Sequence, residues 1–329
     1  MKILYVSSEA FPFCKTGGLA DVAGSLPSAL ARNGDQVAVI LPLYGQIGQQ
    51  WRQQMTFRRY IYVDLGWRHQ YCGLFSLEKD GVTWYFVDNE HYFCRGALYG
   101  EYDDGERFAF FCKAVIDLLP SLDWMPDILH CNDWQTALVP IYLKDVCTRW
   151  EAVRRIRTVF TIHNIEYQGR YGADTVDQLF GLDRGWYSDG TLQMDGDVNL
   201  MKGAMLVSDA VTTVSPTYAA QLHDAAYAEG MEGVVRMIDG KFSGVVNGLD
   251  VVGYADADGQ AAEAFSGHIR AYSGHFKLGG YKIFLDGSPQ GRTAWMRTPY
   301  LGGGPQDRGY PVLTDRQVYD RMALALDQG

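Results

Sequence analysis

The chain has 329 residues, 29 basic and 39 acidic side chains, and a formal net charge of -10. That balance argues against a general nucleic-acid binder, which carries a basic face, but leaves room for an anionic small ligand held by local positive charge. Hydrophobic residues at 47% and charged residues at 21% suit a soluble globular protein, and the length predicts two domains, or one large and one partial.

Residues 2–7 read as a buried parallel strand. It is followed by Cys14-Lys-Thr-Gly-Gly-Leu-Ala-Asp21, a glycine-bearing turn that runs into a helix. Leu19, Val22, Ala23, Leu26, Ala29 and Leu30 recur at helical spacing, Pro27 predicts a kink or break, and Gly34 a stop. Gln36–Leu41 is the next strand, completing a β-α-β unit that opens a doubly wound sheet. Phe57–Val63, Tyr71–Leu77 and Val82–Val87 predict an antiparallel insertion, with Lys79-Asp80-Gly81 as a hairpin turn. Alternation then resumes, with a helix over 106–119, a strand over 127–131, a helix over 134–143 and a strand over 157–162. A helix over 197–208, a strand over 210–214, a Ser215-Pro216 helix start and a short strand over 242–246 complete the series.

The six cysteines form no C-x-x-C pair, and His130-Cys131 stands without a second ligand pair, so reduced thiols, a cytoplasmic location and no metal are expected. Met1-Lys2 leads straight into a strand rather than a leader, and no apolar run is long enough to span a membrane. Membrane and nucleic-acid partners are therefore not expected.

In α/β sheets, ligands sit beyond the carboxyl ends of the strands. The polar residues there are Lys15 with Gly17 and Gly18, Asn132-Asp133, His163-Asn164, Ser215 and Asn247. A helix amino terminus offers unpartnered N–H groups and partial positive charge, Lys15 adds a full charge, and glycines let an anion come close. Each residue also has a plain structural reading. The glycines could serve a turn needing positive φ, His163 could be a hydrogen-bonded core histidine, Asp133 a helix N-cap and Asn247 a left-handed turn residue.

The same residues carry a family pattern. Lys15-Thr-Gly-Gly-Leu-Ala-Asp-Val22 resembles the amino-terminal signature of bacterial glycogen synthases and plant starch synthases. The resemblance continues through His130-Cys-Asn-Asp-Trp134, Thr161-Ile-His-Asn164, Tyr167-Gln-Gly169, Thr213-Val-Ser-Pro-Thr-Tyr-Ala219 and Gly244-Val-Val-Asn-Gly-Leu-Asp250. It implies the Rossmann-like amino-terminal half of a GT-B glycosyltransferase over 1–250, acting in glycogen or starch synthesis. The implied reaction moves glucose from ADP-glucose to the non-reducing 4-OH of an α-1,4-glucan, with retention and no metal or other cofactor. By resemblance, Lys15, Gly17 and Gly18 lie at the donor diphosphate, and His163 steadies charge at the reacting centre. Asp133 lies near the acceptor or sugar, and Asn164 and Asn247 belong to the substrate-binding set.

After Asp250 the family pattern continues into a second Rossmann domain, whereas here about residues 265–329 resemble something else. Gly274 to Trp295, Thr298-Pro-Tyr300 and Arg308-Gly-Tyr-Pro311 resemble a fragment of the metal-dependent amidohydrolases, which are TIM barrels, with Lys282 a candidate metal bridge by analogy. No His-x-His pair accompanies it. The expectation is a chimera-like chain with a partial TIM-barrel-like tail, a loop-like junction at 251–265, and little transfer activity by itself. The alternatives are a metal-dependent amidohydrolase and a non-catalytic glucan-binding module.

Overall fold

Ile3, Leu4, Tyr5 and Val6 are all buried, so β1 (Lys2–Val6) is covered on both faces. Only the middle of a parallel sheet with helices on either side buries a strand in that way. The computed structural model describes residues 1–247, the backbone of 251–256 and 276–282, and the segment 314–328. It divides into two compact units, Met1–Gly248 and Leu249–Gly329.

In the first unit β1 pairs in parallel with β2 (Gln36–Pro42) on one side. The strands β3 (Thr56–Leu65), β4 (Arg68–Lys79) and β5 (Val82–Asp88) lie beyond β2. On its other side β1 pairs in parallel with β6 (Ile128–Asn132), followed by β7 (Arg157–Ile162). A separate three-stranded sheet holds β8 (Arg170–Tyr171), β9 (Gln193–Met194) and β10 (Asp197–Asn199). β11 (Ala210–Thr213) and β12 (Phe242–Gly244) complete the main sheet, whose order is β12-β11-β7-β6-β1-β2-β5-β4-β3.

The antiparallel insertion extends this same sheet, because β4 pairs antiparallel with both β5 and β3. Its turn is of the type that matches strand twist, with Asp80 and Gly81 both at positive φ, 55° and 76°. Chain order reverses at β1, which has β2 on one side and β6 on the other. This topological switch point is where α/β sheets bind ligands.

Several local expectations change. α1 (Gly18–Arg32) runs unbroken through Pro27, whose buried ring packs in place of one lost backbone bond. The segment expected as a helix over 134–143 begins as a 3-10 turn, Trp134–Thr136, before the helix Leu138–Val146. Thr136 Oγ1 both takes the N–H of Asn132 (2.6 Å) and donates to its carbonyl (2.8 Å), which tightens that first turn. Residues 197–199 pair as β10, and Asn199 then caps the helix Leu200–Val207 by accepting the N–H of Lys202 at 2.9 Å. The last strand stops at Gly244.

In the second unit, β13 (Val251–Asp256) pairs in parallel with β14 (Phe276–Lys282), and a helix spans Asp315–Gln328. The first part of the expected loop-like junction is thus a strand, as Val251, Val252 and Tyr254 favour. Gly248-Leu-Asp250, the remainder of the junction, Thr298-Pro-Tyr300 and Arg308-Gly-Tyr-Pro311 lie outside the described residues, as does the side chain of Lys282. Among the described residues no helix is long and apolar enough to cross a membrane. The six cysteines are free thiols.

Candidate active site

Asp133, directly after β6, has φ 56° and ψ 178°, a backbone region other residues leave to glycine. Such a conformation costs about 1–3 kcal/mol and persists only where its surroundings hold it. The hold comes from β7. Asp133 Oδ1 accepts the backbone N–H of His163 at 2.7 Å and of Asn164 at 3.3 Å. It makes no side-chain cap bond, so the N-cap reading gives way to a cross-strand clamp.

The clamp sets His163 over the buried Asn132. His163 Nε2 lies 3.0 Å from Asn132 Oδ1, which also accepts the Tyr5 hydroxyl at 2.9 Å. Asn132 Nδ2 donates to the carbonyl of Val6 (3.0 Å), which orients the amide. An amide oxygen only accepts, so Nε2 carries the proton and Nδ1 keeps its lone pair. Burial lowers the His163 pKa to about 4, so the ring is neutral near pH 7. His130, within β6, contacts Thr161 Oγ1 at 2.7 Å and is lowered to about 4 by burial and by His163. Asp133 moves the other way. Burial raises it to about 7, against the two backbone N–H groups that lower it and with Glu9 raising it further.

Glu9, three residues past the end of β1 at Val6, was missed by the sequence reading. It is 2% exposed, and its Oε2 accepts the backbone N–H (2.5 Å) and hydroxyl (2.7 Å) of Thr16. A buried carboxylate therefore ties down the loop carrying Lys15, Gly17 and Gly18. An acidic residue in the short loop after a central strand was the available signal. Gly17 is extended (φ -146°) and Gly18 is not among the positive-φ glycines, so neither serves the turn role. A Cβ on Gly18 would meet nothing within 4 Å, so the helix start faces open space. No side chain caps α1. Lys15 is exposed and paired with Asp21, at 2.6 and 2.7 Å.

Ser215 performs its plain structural role, accepting the N–H of Tyr218 at 2.9 Å as the cap of the helix Pro216–Gln221. That helix start matters indirectly, because the Tyr218 hydroxyl accepts the N–H of Ile165 at 3.2 Å and steadies the His163 loop. Asn247 follows β12 and is partly buried. β12 itself is four strands from β1 in the sheet order, roughly 19 Å at the usual strand spacing. The structure thus brings Asp133, His163 and Asn164 into direct contact and places Lys15, Gly17 and Gly18 on the adjoining β1 side, while Asn247 comes three residues after the outer strand β12. Among the described residues no group of three or more His, Cys, Asp or Glu is placed to hold a metal ion.

Residues 2–237 match the family model described as the starch synthase catalytic domain. The chain belongs to this family. A glycogen synthase of Streptococcus agalactiae is 42% identical over 333 residues, covering 99% of this chain and 66% of the relative. One from Lactococcus lactis is 50% identical over 253 residues, covering 76% of this chain and 53% of the relative. Among solved structures, the catalytic domain of starch synthase IV from Arabidopsis thaliana, bound to ADP and acarbose, is 32% identical. Its TM-score is 0.70, and the match covers 76% of this chain and 52% of that one. The chain spans between about half and two thirds of the length of these relatives. The alignment with the streptococcal protein takes in the carboxyl-terminal segment, and the comparisons lend no support to the amidohydrolase resemblance there.

Within this starch synthase fold the motifs divide by task. His130-Cys-Asn-Asp-Trp134 and Thr161-Ile-His-Asn164 form the hydrogen-bonded centre. Tyr167-Gln-Gly169 is structural. Gly169 has φ +66°, and a Cβ there would sit 2.8 Å from the Trp134 ring. Gln168 Oε1 accepts Asn199 Nδ2 at 2.7 Å, tying β10 to the motif.

Proposed function

We propose that this chain supplies one wall of a site transferring glucose from ADP-glucose to the non-reducing end of an α-1,4-glucan, with retention. The observation that carries the reading is the Asp133–His163–Asn164 clamp at the switch point of a chain in the starch synthase family. In the transfer, the bond from the anomeric carbon to the diphosphate oxygen breaks and a bond to the acceptor 4-oxygen forms. The acceptor proton passes to the departing diphosphate, leaving ADP.

Positive charge develops on the sugar in such a transition state. A neutral imidazole whose Nδ1 lone pair can accept a sugar hydroxyl fits that demand, whereas an imidazolium would oppose it. Asp133 has one oxygen committed to two backbone N–H groups, which suits positioning rather than nucleophilic attack. The open helix start at Gly18, with Lys15 beside it, provides the positive field a leaving diphosphate needs.

The test follows the His163 imidazole by NMR while ADP-glucose and maltotetraose are added, alongside transfer of labelled glucose to glycogen. Both ligands are expected to shift its resonances, and ADP-glucose is expected to outcompete UDP-glucose. If neither ligand disturbs His163 and no label is transferred, the reading is wrong.

A further inference from the structure

The outer edge of the main sheet carries aromatic side chains that the core does not use. Phe57, Tyr60, Tyr62 and Tyr71 are between 38% and 57% exposed. Cross-strand pairing puts them on one face, with Tyr62 opposite Tyr71, Tyr60 opposite Gly73 and Phe57 opposite Phe75. The rings touch in series. His69 stacks on Tyr62 (4.6 Å, 8°), Tyr62 meets Tyr71 edge-on (6.5 Å), and Tyr71 stacks on Tyr60 (5.9 Å, 27°). Gly73 makes this stack possible, since a Cβ there would lie 2.7 Å from the Tyr71 hydroxyl and 3.2 Å from Asp88 Oδ2.

The charges on this face select the occupant. Asp64 pairs with His69 at one end and Asp88 borders Gly73 at the other. The nearby arginines are engaged elsewhere, Arg58 with Asp123 and Arg52 with the carbonyls of Tyr44 (2.7 Å) and Ile47 (3.1 Å). Arg59 lies opposite the buried Leu74 and so points to the other face. Carboxylates repel phosphate-bearing partners, while flat rings with phenol rims offer stacking surface and hydrogen bonds together. An exposed aromatic run of this kind is unusual on a surface with no partner.

We propose that the β3–β4 face is a second glucan-binding surface, holding a linear α-1,4-glucan by stacking its sugar rings on Tyr60, Tyr62 and Tyr71. Asp64 and Asp88 accept its hydroxyls. The run from Phe57 to Tyr62 extends ~16 Å along β3, enough for several sugar rings in a row. The surface anchors polymer away from the His163 centre, and this rests on the glucan reading above.

The test uses the 329-residue chain in native gels containing glycogen, and calorimetry with maltoheptaose. The Tyr60→Ala/Tyr62→Ala/Tyr71→Ala variant is expected to bind at least fivefold more weakly, with an unchanged unfolding midpoint and unchanged His163 shifts on adding ADP-glucose. The corresponding triple Phe variant, which keeps the rings, is expected to retain most binding. Should the triple Ala variant unfold, Tyr60→Ala alone decides by the same measure, with at least a twofold loss expected. Binding equal to wild type in the Ala variants overturns the surface and leaves the cleft reading intact. A wild type that ignores glycogen while ADP-glucose still shifts His163 also overturns it alone; if both responses are missing, both proposals fall. A wild-type dimer abolished by the Ala variant, with no retardation by glycogen, assigns the face to a second copy instead.

Discussion

Asp133 Oδ1 lies 2.7 Å from the backbone nitrogen of His163, thirty residues later in the chain. This bond joins the ends of β6 and β7 and explains how a non-glycine residue is kept at φ 56°, ψ 178°. Asp133→Ala removes the acceptor for two N–H groups and is expected to destabilise the fold by about 1–3 kcal/mol. Asp133→Asn keeps an accepting oxygen and should lose less than about half of that. Urea unfolding of the two variants checks the difference; equal losses would mean the clamp carries no stability.

The two imidazoles make stability depend on pH with a definite sign. His163 and His130 titrate near 4 in the fold and near 6.5 when unfolded, so between those values the unfolded chain binds more protons. Their contribution is complete above pH 6.5 and is lost as pH falls through 4, amounting to about 3 kcal/mol per ring at most. Asp133 acts oppositely, because its raised pKa favours the fold below pH 4 and that contribution is lost as pH rises through 7. Unfolding free energy measured from pH 4 to 7 should rise less steeply in His163→Gln, and a carboxyl resonance for Asp133 should titrate near neutrality.

Lys15→Ala should separate stability from ligand binding. Its ion pair with Asp21 is exposed and is worth at most about 1 kcal/mol. The unfolding midpoint should therefore barely move. Calorimetric affinity for ADP should fall about tenfold, the loss of one charge-assisted contact to a phosphate. Unchanged ADP affinity would remove Lys15 from the donor site.

Gly169→Ala places a methyl group against the Trp134 ring at a left-handed backbone position. A loss above about 1 kcal/mol is expected, with a shift in tryptophan emission, because Trp134 must move from Phe108 and Tyr171.

Most strands, and the polar residues that follow them, were readable because hydrophobic runs and what ends them are local signals; their order across the sheet was not. Burial of Glu9 was not, since a carboxylate gives no local sign that Thr16 will fold back to meet it. Pro27 misled because a proline's effect on a helix depends on what the buried ring packs against. Ser215 was legible as a cap, but its effect on the His163 loop runs through Tyr218, a contact made fifty-three residues away in the chain.

The sequence by itself determined the parallel α/β architecture, the antiparallel insertion and the row of polar residues at the strand ends. Periodicity, turn chemistry and motif order are written along the chain. Only the tertiary structure decided which of those residues act together. Protonation and strain at Asp133 and His163 follow from desolvation and from N–H groups on another strand, and neither exists until β6 and β7 lie side by side. The same holds for Tyr60, Tyr62 and Tyr71, which become one surface only through the register of β3 on β4.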